Sequence, residues 1–286
     1  MTNKKLLSVP ELQALQNSGD CIIVDSRFDL ADLEAGYEYY LESQIPGAVY
    51  AHLDDDLSGP VTGSSGRHPL PDADKFSSFL ARSGWLPGKL LVAYDDAGGA
   101  IAARLWWLMK YFGLDCAALL DGGIPAWWAA GGDVESGRSQ LKPVEITALK
   151  GHEELATSTA EVIARIETND IVLADARANE RFIGRMEPID HVAGHIPGSK
   201  NYPFNRNLNA NGTFRFFDEI RHGLEELCGN HGPDRLVHMC GSGVTACQNL
   251  FSAELVGLKG STLYVGSWSE WIRDPSRPIG KLPIQT

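Results

Sequence analysis

The sequence predicts an α/β protein built as two copies of one plan, each copy a parallel sheet flanked by helices. Three observations predict it. Short apolar, β-branched runs alternate with longer amphipathic stretches, the order that a parallel sheet with crossover helices requires. Landmarks of the first half recur in the same order in the second, the mark of a duplicated unit. At 286 residues, 43% hydrophobic and 22% charged, the chain is long enough for two ordinary domains and has the composition of a packed protein.

The elements follow in order. The apolar run Cys21-Ile22-Ile23-Val24 ends in Asp25-Ser26-Arg27, and Ile171-Val172-Leu173-Ala174 ends in Asp175-Ala176-Arg177. Ile45-Pro46-Gly47-Ala48 then matches Ile196-Pro197-Gly198-Ser199. A second buried-strand pattern, Leu90-Leu91-Val92-Ala93-Tyr94, runs into Asp95, while Leu236-Val237-His238-Met239 runs into Cys240. Last, Asp121-Gly122-Gly123-Ile124-Pro125-Ala126-Trp127 matches Val265-Gly266-Ser267-Trp268-Ser269-Glu270-Trp271. Amphipathic periodicity predicts helices over 73–83, 100–112 and 245–256. The stretch 131–157 is rich in Gly, Ser, Lys and Glu and lacks helical periodicity. It holds the expected linker, 141–157, between domains over 1–140 and 158–286.

Charge and composition exclude several classes. A formal charge of −12 and a pI near 5.1 argue against nucleic acid or an anionic membrane as partner, since both need a basic face. The five cysteines form no Cys-x-x-Cys pair and sit beside no histidine spacing that suits zinc, so they read as free thiols in a reducing compartment, with no metal expected. Met1–Pro10 lacks the apolar core of a signal peptide, and nowhere is there a run long enough to span a bilayer. The cytoplasm is the expected location.

Cys240 carries the candidate chemistry. A strand that ends in a cysteine, followed by Gly241-Ser242-Gly243-Val244-Thr245 and a helix, places the sulfur at the carboxyl edge of a sheet, where α/β proteins build their sites. Gly241 and Gly243 allow successive amides to turn toward one point. Those amides and the positive end of the helix favour an anion, and a thiolate is the nucleophilic form of cysteine. The competing reading is a small buried residue in a tight turn. Cys21, Cys116, Cys228 and Cys247 have no such setting and read as core or surface thiols. Phosphatases with a comparable loop clamp phosphate with an arginine at the position of Ala246, and without that guanidinium a phosphate dianion loses its bidentate partner.

These residues resemble the tandem rhodanese family over nearly the whole chain. Asp25-Ser26-Arg27, Ile45-Pro46-Gly47-Ala48, Tyr94-Asp95, Asp121-Gly122-Gly123, Gly194-His195-Ile196-Pro197-Gly198 and Gly266-Ser267-Trp268-Ser269-Glu270-Trp271 carry the resemblance together. It implies two tandem rhodanese-like domains, of which the N-terminal one is silent, with Asp95 in the cysteine's place. It implies a sulfurtransferase that needs no metal or organic cofactor. Sulfur from a small-molecule donor passes through a Cys240 persulfide to a thiol acceptor such as thioredoxin, or to cyanide. Thiosulfate enzymes carry basic residues after the cysteine, whereas 3-mercaptopyruvate enzymes resemble Cys240–Thr245 as it stands. A neutral loop suits a donor whose charge lies away from its sulfur. Mercaptopyruvate is therefore the expected donor, thiosulfate the alternative, and a non-catalytic sulfur-relay or binding module the reading from another class.

The resemblance also offers site residues. Arg177 and Arg181 are implied to bind the substrate beside Gly241, Gly243, Val244 and Thr245, with pairing to Asp175 or loop carbonyls the competing reading for Arg177. Ser242 is implied to work with His68 and Asp54 as a hydroxyl relay that protonates the leaving enolate. Asp54 lies in Asp54-Asp55-Asp56, which also reads as a solvated turn. His195 is expected to hydrogen-bond locally, Trp106, Trp107, Trp127, Trp128 and Trp271 to pack, and Trp268 to wall the site.

Overall fold

A computed structural model of the chain describes residues 4–139 and 141–281. They form two compact units. The first comprises the chain up to Gly59 with Leu70–His152 and Leu208–Phe214; the second comprises Pro60–Pro69, Glu153–Asn207 and the chain from Arg215. The sequence reading puts Pro60–Pro69 within 1–140, yet this segment packs with the second unit. The stretch expected as linker already holds the start of the second unit's structure, a 3-10 turn over Glu153–Leu155 and a strand over Ala156–Thr157.

The first unit runs β1 (Leu6–Leu7), α1 (Val9–Ser18), β2 (Cys21–Asp25), α2 (Ala35–Glu42), β3 (Val49–Tyr50), α3 (Ala73–Arg82), β4 (Leu90–Tyr94), α4 (Ala102–Tyr111), β5 (Ala117–Leu120) and α5 (Gly123–Ala129). The second repeats it: β6 (Ala156–Thr157), α6 (Thr159–Ile166), β7 (Val172–Asp175), α7 (Asn179–Phe182), β8 (Lys200–Asn201), α8 (Phe217–Cys228), β9 (Leu236–Met239), α9 (Ala246–Leu255), β10 (Thr262–Tyr264) and α10 (Ser267–Trp271). Each sheet has five strands, in the orders β1-β5-β4-β2-β3 and β6-β10-β9-β7-β8, and each strand pairs parallel to its neighbours. Helices flank the sheets and the central strands are buried along their length, which explains why β4 reads as a continuous apolar run and β9 as one broken only by His238 rather than as alternating strands.

Local chemistry sets the helix ends. The Asp72 carboxylate accepts the Lys75 amide at 2.7 Å and starts α3, which buries Phe76, Phe79 and Leu80; Ser158 and Glu161 form a reciprocal capping box on α6. The first core gathers Leu12, Ile23, Val92, Ile124 and Trp127, the second Val162, Leu173, Val237, Tyr264 and Trp268. The repeat extends to small features: Gln44 bridges antiparallel to Glu135, and His195 bridges antiparallel to Gly280. His195 Nδ1 also meets the Phe182 carbonyl at 2.7 Å, and its ring stacks on Phe182, as a structural residue does. Trp128 departs from the packing expectation and is 47% exposed, because neighbouring residues on α5 point about 100° apart and Trp127 takes the inward place.

Candidate active site

The middle strand of each sheet, β4 or β9, ends in the residue that matters, Asp95 or Cys240. The first copy displays what the following loop is shaped for. The Asp95 carboxylate accepts four backbone amides, from Ala97 and Gly99 at 2.9 Å on one oxygen, and from Ile101 at 2.8 Å and Ala102 at 2.9 Å on the other. That is an anion cradle built from a turn and the start of α4. In the second copy the same strand–loop–helix path carries Cys240, which is 2% exposed, followed by Gly241, Ser242, Gly243, Val244 and Thr245.

Backbone geometry locks this loop. Gly243 has φ of +77°, and a Cβ there would stand 2.5 Å from the Val265 carbonyl oxygen, so a side chain is excluded twice over. The Cys240 amide donates to Ser267 Oγ at 3.1 Å, while Ser267 Oγ donates to the Tyr264 carbonyl. Ser267 holds φ at +52°, uncommon for a residue with a side chain. The amides of Trp268 and Ser269 donate to the carbonyls of Cys240 (3.1 Å) and Gly241 (2.8 Å). The Gly266–Trp271 signature thus serves as a clamp on the Cys240 loop. Trp268 does not wall the site; it is fully buried beneath the Arg177 guanidinium, 4.7 Å from the ring centroid, and its indole N–H donates to the Val192 carbonyl.

Segment Pro60–Pro69 completes the second unit. Gly66 passes so close to the clamp that a Cβ would meet the Gly266 oxygen at 2.6 Å, and the Arg67 amide donates to Ser269 Oγ at 3.0 Å. The next residue, His68, is buried with Nδ1 at 2.7 Å from Ser242 Oγ. The sequence-predicted pair is therefore brought together, and both partners lie within the second unit. Asp54 lies in the first unit; its amide donates to His52 Nδ1 at 3.2 Å, and its carbonyl accepts Lys75 Nζ at 3.1 Å.

The two arginines offered by the sequence have different surroundings. Arg177 donates from Nε and Nη2 to the Asp175 carboxylate, from Nη2 to the Gly194 carbonyl at 2.8 Å, and reaches Glu187 from Nη1 at 3.4 Å. Its side chain is 1% exposed. Burial opposes its charge, but Asp175, with Glu187 and Asp190, outweighs burial and holds its proton more firmly than usual. Arg177 thus takes the buried pairing, not a substrate-facing place, and Arg27 makes the same pair with Asp25 at 2.6 Å in the first copy. Arg181 stands over the nucleophile loop, with Nη2 3.4 Å and Nη1 3.7 Å from where a Gly241 Cβ would be. Glu187 and Asp190 hold it, at 2.7 and 3.2 Å. Burial lifts the Glu187 carboxyl, yet the bond from Arg181 prevails and keeps it below the usual range; Asp190 goes up, burial exceeding the pull of Arg67.

Sequence reasoning missed Arg67, the residue directly before His68. Its Nη2 lies 3.0 Å from the position of a Gly241 Cβ, and Nη1 donates to Asp190. Sequence alone gives no signal for it, because its place over Gly241 depends on the packing of Pro60–Pro69 with the second unit. The other cysteines are poor nucleophiles or buried: burial pushes Cys21 up to about 11 and also raises Cys116 and Cys228, and Cys247 is buried with its thiol donating to the Gly243 carbonyl. Among the described residues no helix is long and apolar enough to cross a membrane.

Comparison with known proteins agrees with this geometry. The family model for the rhodanese-like domain matches twice, over residues 8–130 and 158–274. A Pseudomonas aeruginosa protein named provisionally as a 3-mercaptopyruvate sulfurtransferase is 43% identical over 98% of this chain and 99% of its own. A Mycobacterium tuberculosis protein named provisionally for thiosulfate sulfur transfer is 38% identical over 96% of both chains. The solved 3-mercaptopyruvate sulfurtransferase of Leishmania major superposes with a TM-score of 0.84 at 31% identity, covering 96% of this chain and 76% of that one. Two copies of one sheet, the middle strand of one running into a carboxylate and that of the other into a thiol, each ahead of a helix, and matches that span both, place the chain in the rhodanese family, with the domain present twice.

Proposed function

We propose that the protein is a 3-mercaptopyruvate sulfurtransferase working through a persulfide on Cys240. The observation that carries this reading is the 2.7 Å hydrogen bond between His68 Nδ1 and Ser242 Oγ, two residues beyond the nucleophile. Donors differ in what they leave behind. Thiosulfate leaves sulfite, a stable anion that needs no proton. Mercaptopyruvate leaves a carbanion equivalent on its methylene carbon, and a proton must reach that carbon.

The Cys240 thiolate attacks the thiol sulfur of mercaptopyruvate. The new S–S bond forms as the S–C bond breaks, and the electron pair of that bond leaves as the enolate of pyruvate. Ser242 gives its hydroxyl proton to the methylene carbon and recovers one from His68. The persulfide hydrogen, released to solvent, balances the proton consumed. The amide turn holds the persulfide anion as its counterpart holds the Asp95 carboxylate. An acceptor thiolate then attacks the outer sulfur, leaving as a persulfide and restoring the Cys240 thiolate; cyanide leaves as thiocyanate. Arg181 binds the donor's anionic end, and Gly241, Gly243, Val244 and Thr245 shape the cradle. Asp54 as the carboxylate of the relay rests on the sequence resemblance, and Asp54→Asn, assayed with both donors, tests it. A thioredoxin-like acceptor and a cytoplasmic location belong to the same proposal.

The relative named for mercaptopyruvate is 43% identical and the one named for thiosulfate 38%, so thiosulfate is the second donor to measure. Mass spectrometry after exposure to mercaptopyruvate is expected to find one added sulfur on Cys240 and none in Cys240→Ser. Turnover with purified protein and small donors alone is expected to favour mercaptopyruvate in kcat/KM. Faster thiosulfate turnover overturns the donor assignment, and turnover that appears only with an added protein partner favours a relay module.

A further inference from the structure

The two guanidiniums over Gly241 belong to a longer series. Asp175, Arg177, Glu187, Arg181, Asp190 and Arg67 form one chain of ion pairs in which acid and base alternate. The chain lies wholly within the second unit and runs from the fully buried Asp175 carboxylate to the Arg67 side chain, which is 26% exposed. Three carboxylates face three guanidiniums, so the cluster over the nucleophile loop carries no net charge. A site that attracts polyanions keeps a surplus of positive charge instead. Glu187 has other work: it reaches Arg177 at 3.4 Å and accepts the amides of Ile189 and Asp190 at 3.1 Å. Asp190 gives both oxygens to the guanidiniums over Gly241, one accepting from Arg67 Nη1 and the other from Arg181 Nη2 at 3.2 Å. Its side chain is 4% exposed, so water and salt screen its charge little.

Resting on the reading that mercaptopyruvate is the donor, we propose that Asp190 is a specificity-determining residue: by cancelling positive charge over Gly241, it leaves a site that accepts one negative charge on the donor and resists a second. The donor meets Cys240 as a thiolate, so every charge it carries adds to an anion already present. Mercaptopyruvate brings one charge, on its carboxylate, and thiosulfate brings two. The neutral stretch Gly241-Ser242-Gly243 offers the second charge no cation, and Asp190 offsets part of what the arginines supply. In a site largely shielded from water, one further unit charge a few ångströms away is worth on the order of tenfold in affinity.

The test adds a donor that differs from thiosulfate in charge but not in the bond broken. Thiosulfate is a dianion that leaves sulfite, and methanethiosulfonate is a monoanion that leaves methanesulfinate. In each the Cys240 thiolate attacks the outer sulfur, the S–S bond breaks onto the leaving group, and no proton is consumed. With thiocyanate formation from cyanide as the readout, Asp190→Asn is expected to raise kcat/KM for thiosulfate about tenfold relative to methanethiosulfonate, and by a similar factor relative to mercaptopyruvate. Asp190→Ala removes the charge without setting an amide against a guanidinium, and should shift both ratios the same way. Asp190→Glu keeps the charge and should hold both ratios within about threefold of wild type, whatever happens to the separate rates. Unchanged ratios in Asp190→Asn and Asp190→Ala overturn the assignment, as does an equal shift in Asp190→Glu, which would make Asp190 a support for the arginines alone. Wild-type protein that turns over thiosulfate faster than mercaptopyruvate is a separate result, one that overturns the donor reading itself and the exclusion assigned to Asp190 with it.

Discussion

Ser242→Ala separates the two donors by the proton that only one of them needs. The substitution removes a hydroxyl bonded to His68 Nδ1 at 2.7 Å and leaves Cys240, the amide turn and the arginines in place. Positioned general acids contribute about 10² to 10⁴ in rate. The keto group already delocalises the leaving carbanion, which puts the expected loss at the low end, about 10²-fold, or about 2.7 kcal/mol of transition-state stabilisation. With thiosulfate the leaving sulfite takes no proton, so kcat/KM should fall less than about threefold. The assay is steady-state thiocyanate formation with cyanide as common acceptor, which makes the second half-reaction identical for both donors. Equal losses with the two donors would refute the reasoning and reduce Ser242 to a residue that holds the loop.

Other consequences follow from buried groups around the site. Arg177→Ala leaves the fully buried Asp175 carboxylate without its main partner, a change that costs about 3–5 kcal/mol when one member of a buried pair is removed; urea denaturation should show it, while unchanged stability with a raised KM for mercaptopyruvate would return Arg177 to the substrate. His238, in β9, is completely buried with both ring nitrogens unpartnered among the described residues, and burial lowers its pKa from 6.5 to about 3. The folded protein therefore binds the His238 proton far more weakly than the unfolded chain. Stability is intact above pH 6.5 and falls as the pH drops toward about 3, each pH unit removing about 1.4 kcal/mol. His238→Leu should flatten that acid limb in pH-dependent denaturation, and an unchanged limb would assign it to other groups.

The repeat was legible because the physics that makes a central parallel strand also marks its sequence. Leu90–Tyr94 and Leu236–Met239 are buried along their length and read as apolar runs, the second broken only by His238, and each ends where a loop must turn. The place of Cys240 directly after the central strand was legible for the same reason, and the helices observed over Ala102–Tyr111 and Ala246–Leu255 lie within the periodic stretches that predict them. What was not legible depends on contacts far apart in the chain. Arg177 is next-but-one to Asp175, yet whether it faces substrate or carboxylate is decided by Gly194 and Glu187 closing on its other nitrogens. Arg67 acquires its place only because Gly66 and Ser269 draw Pro60–Pro69 onto the second unit. Trp127 and Trp128 show the limit on a smaller scale: identical neighbours in sequence, one buried and the other 47% exposed.

An anion cradle alone is not expected to make a sulfurtransferase, and Asp95→Cys in a Cys240→Ser background tests that expectation. The four amides now bound to the Asp95 carboxylate would meet the introduced sulfur, so the anion cradle is present. The remaining elements are absent by residue type. Ala97 stands where Ser242 does and supplies no proton; Asp96 stands where Gly241 does and sets a carboxylate beside an anionic donor. Losing the acid is worth about 10²-fold, and setting a carboxylate where Gly241 stands about as much again, since it repels an anionic donor. Sulfur transfer from mercaptopyruvate should therefore run on the order of 10⁴-fold below the native copy, and mass spectrometry over a normal turnover time should find the introduced thiol unmodified while iodoacetamide still alkylates it. Rapid appearance of a persulfide there would mean that the amide turn suffices, and that the His68–Ser242 bond and the arginines over Gly241 serve stability rather than transfer.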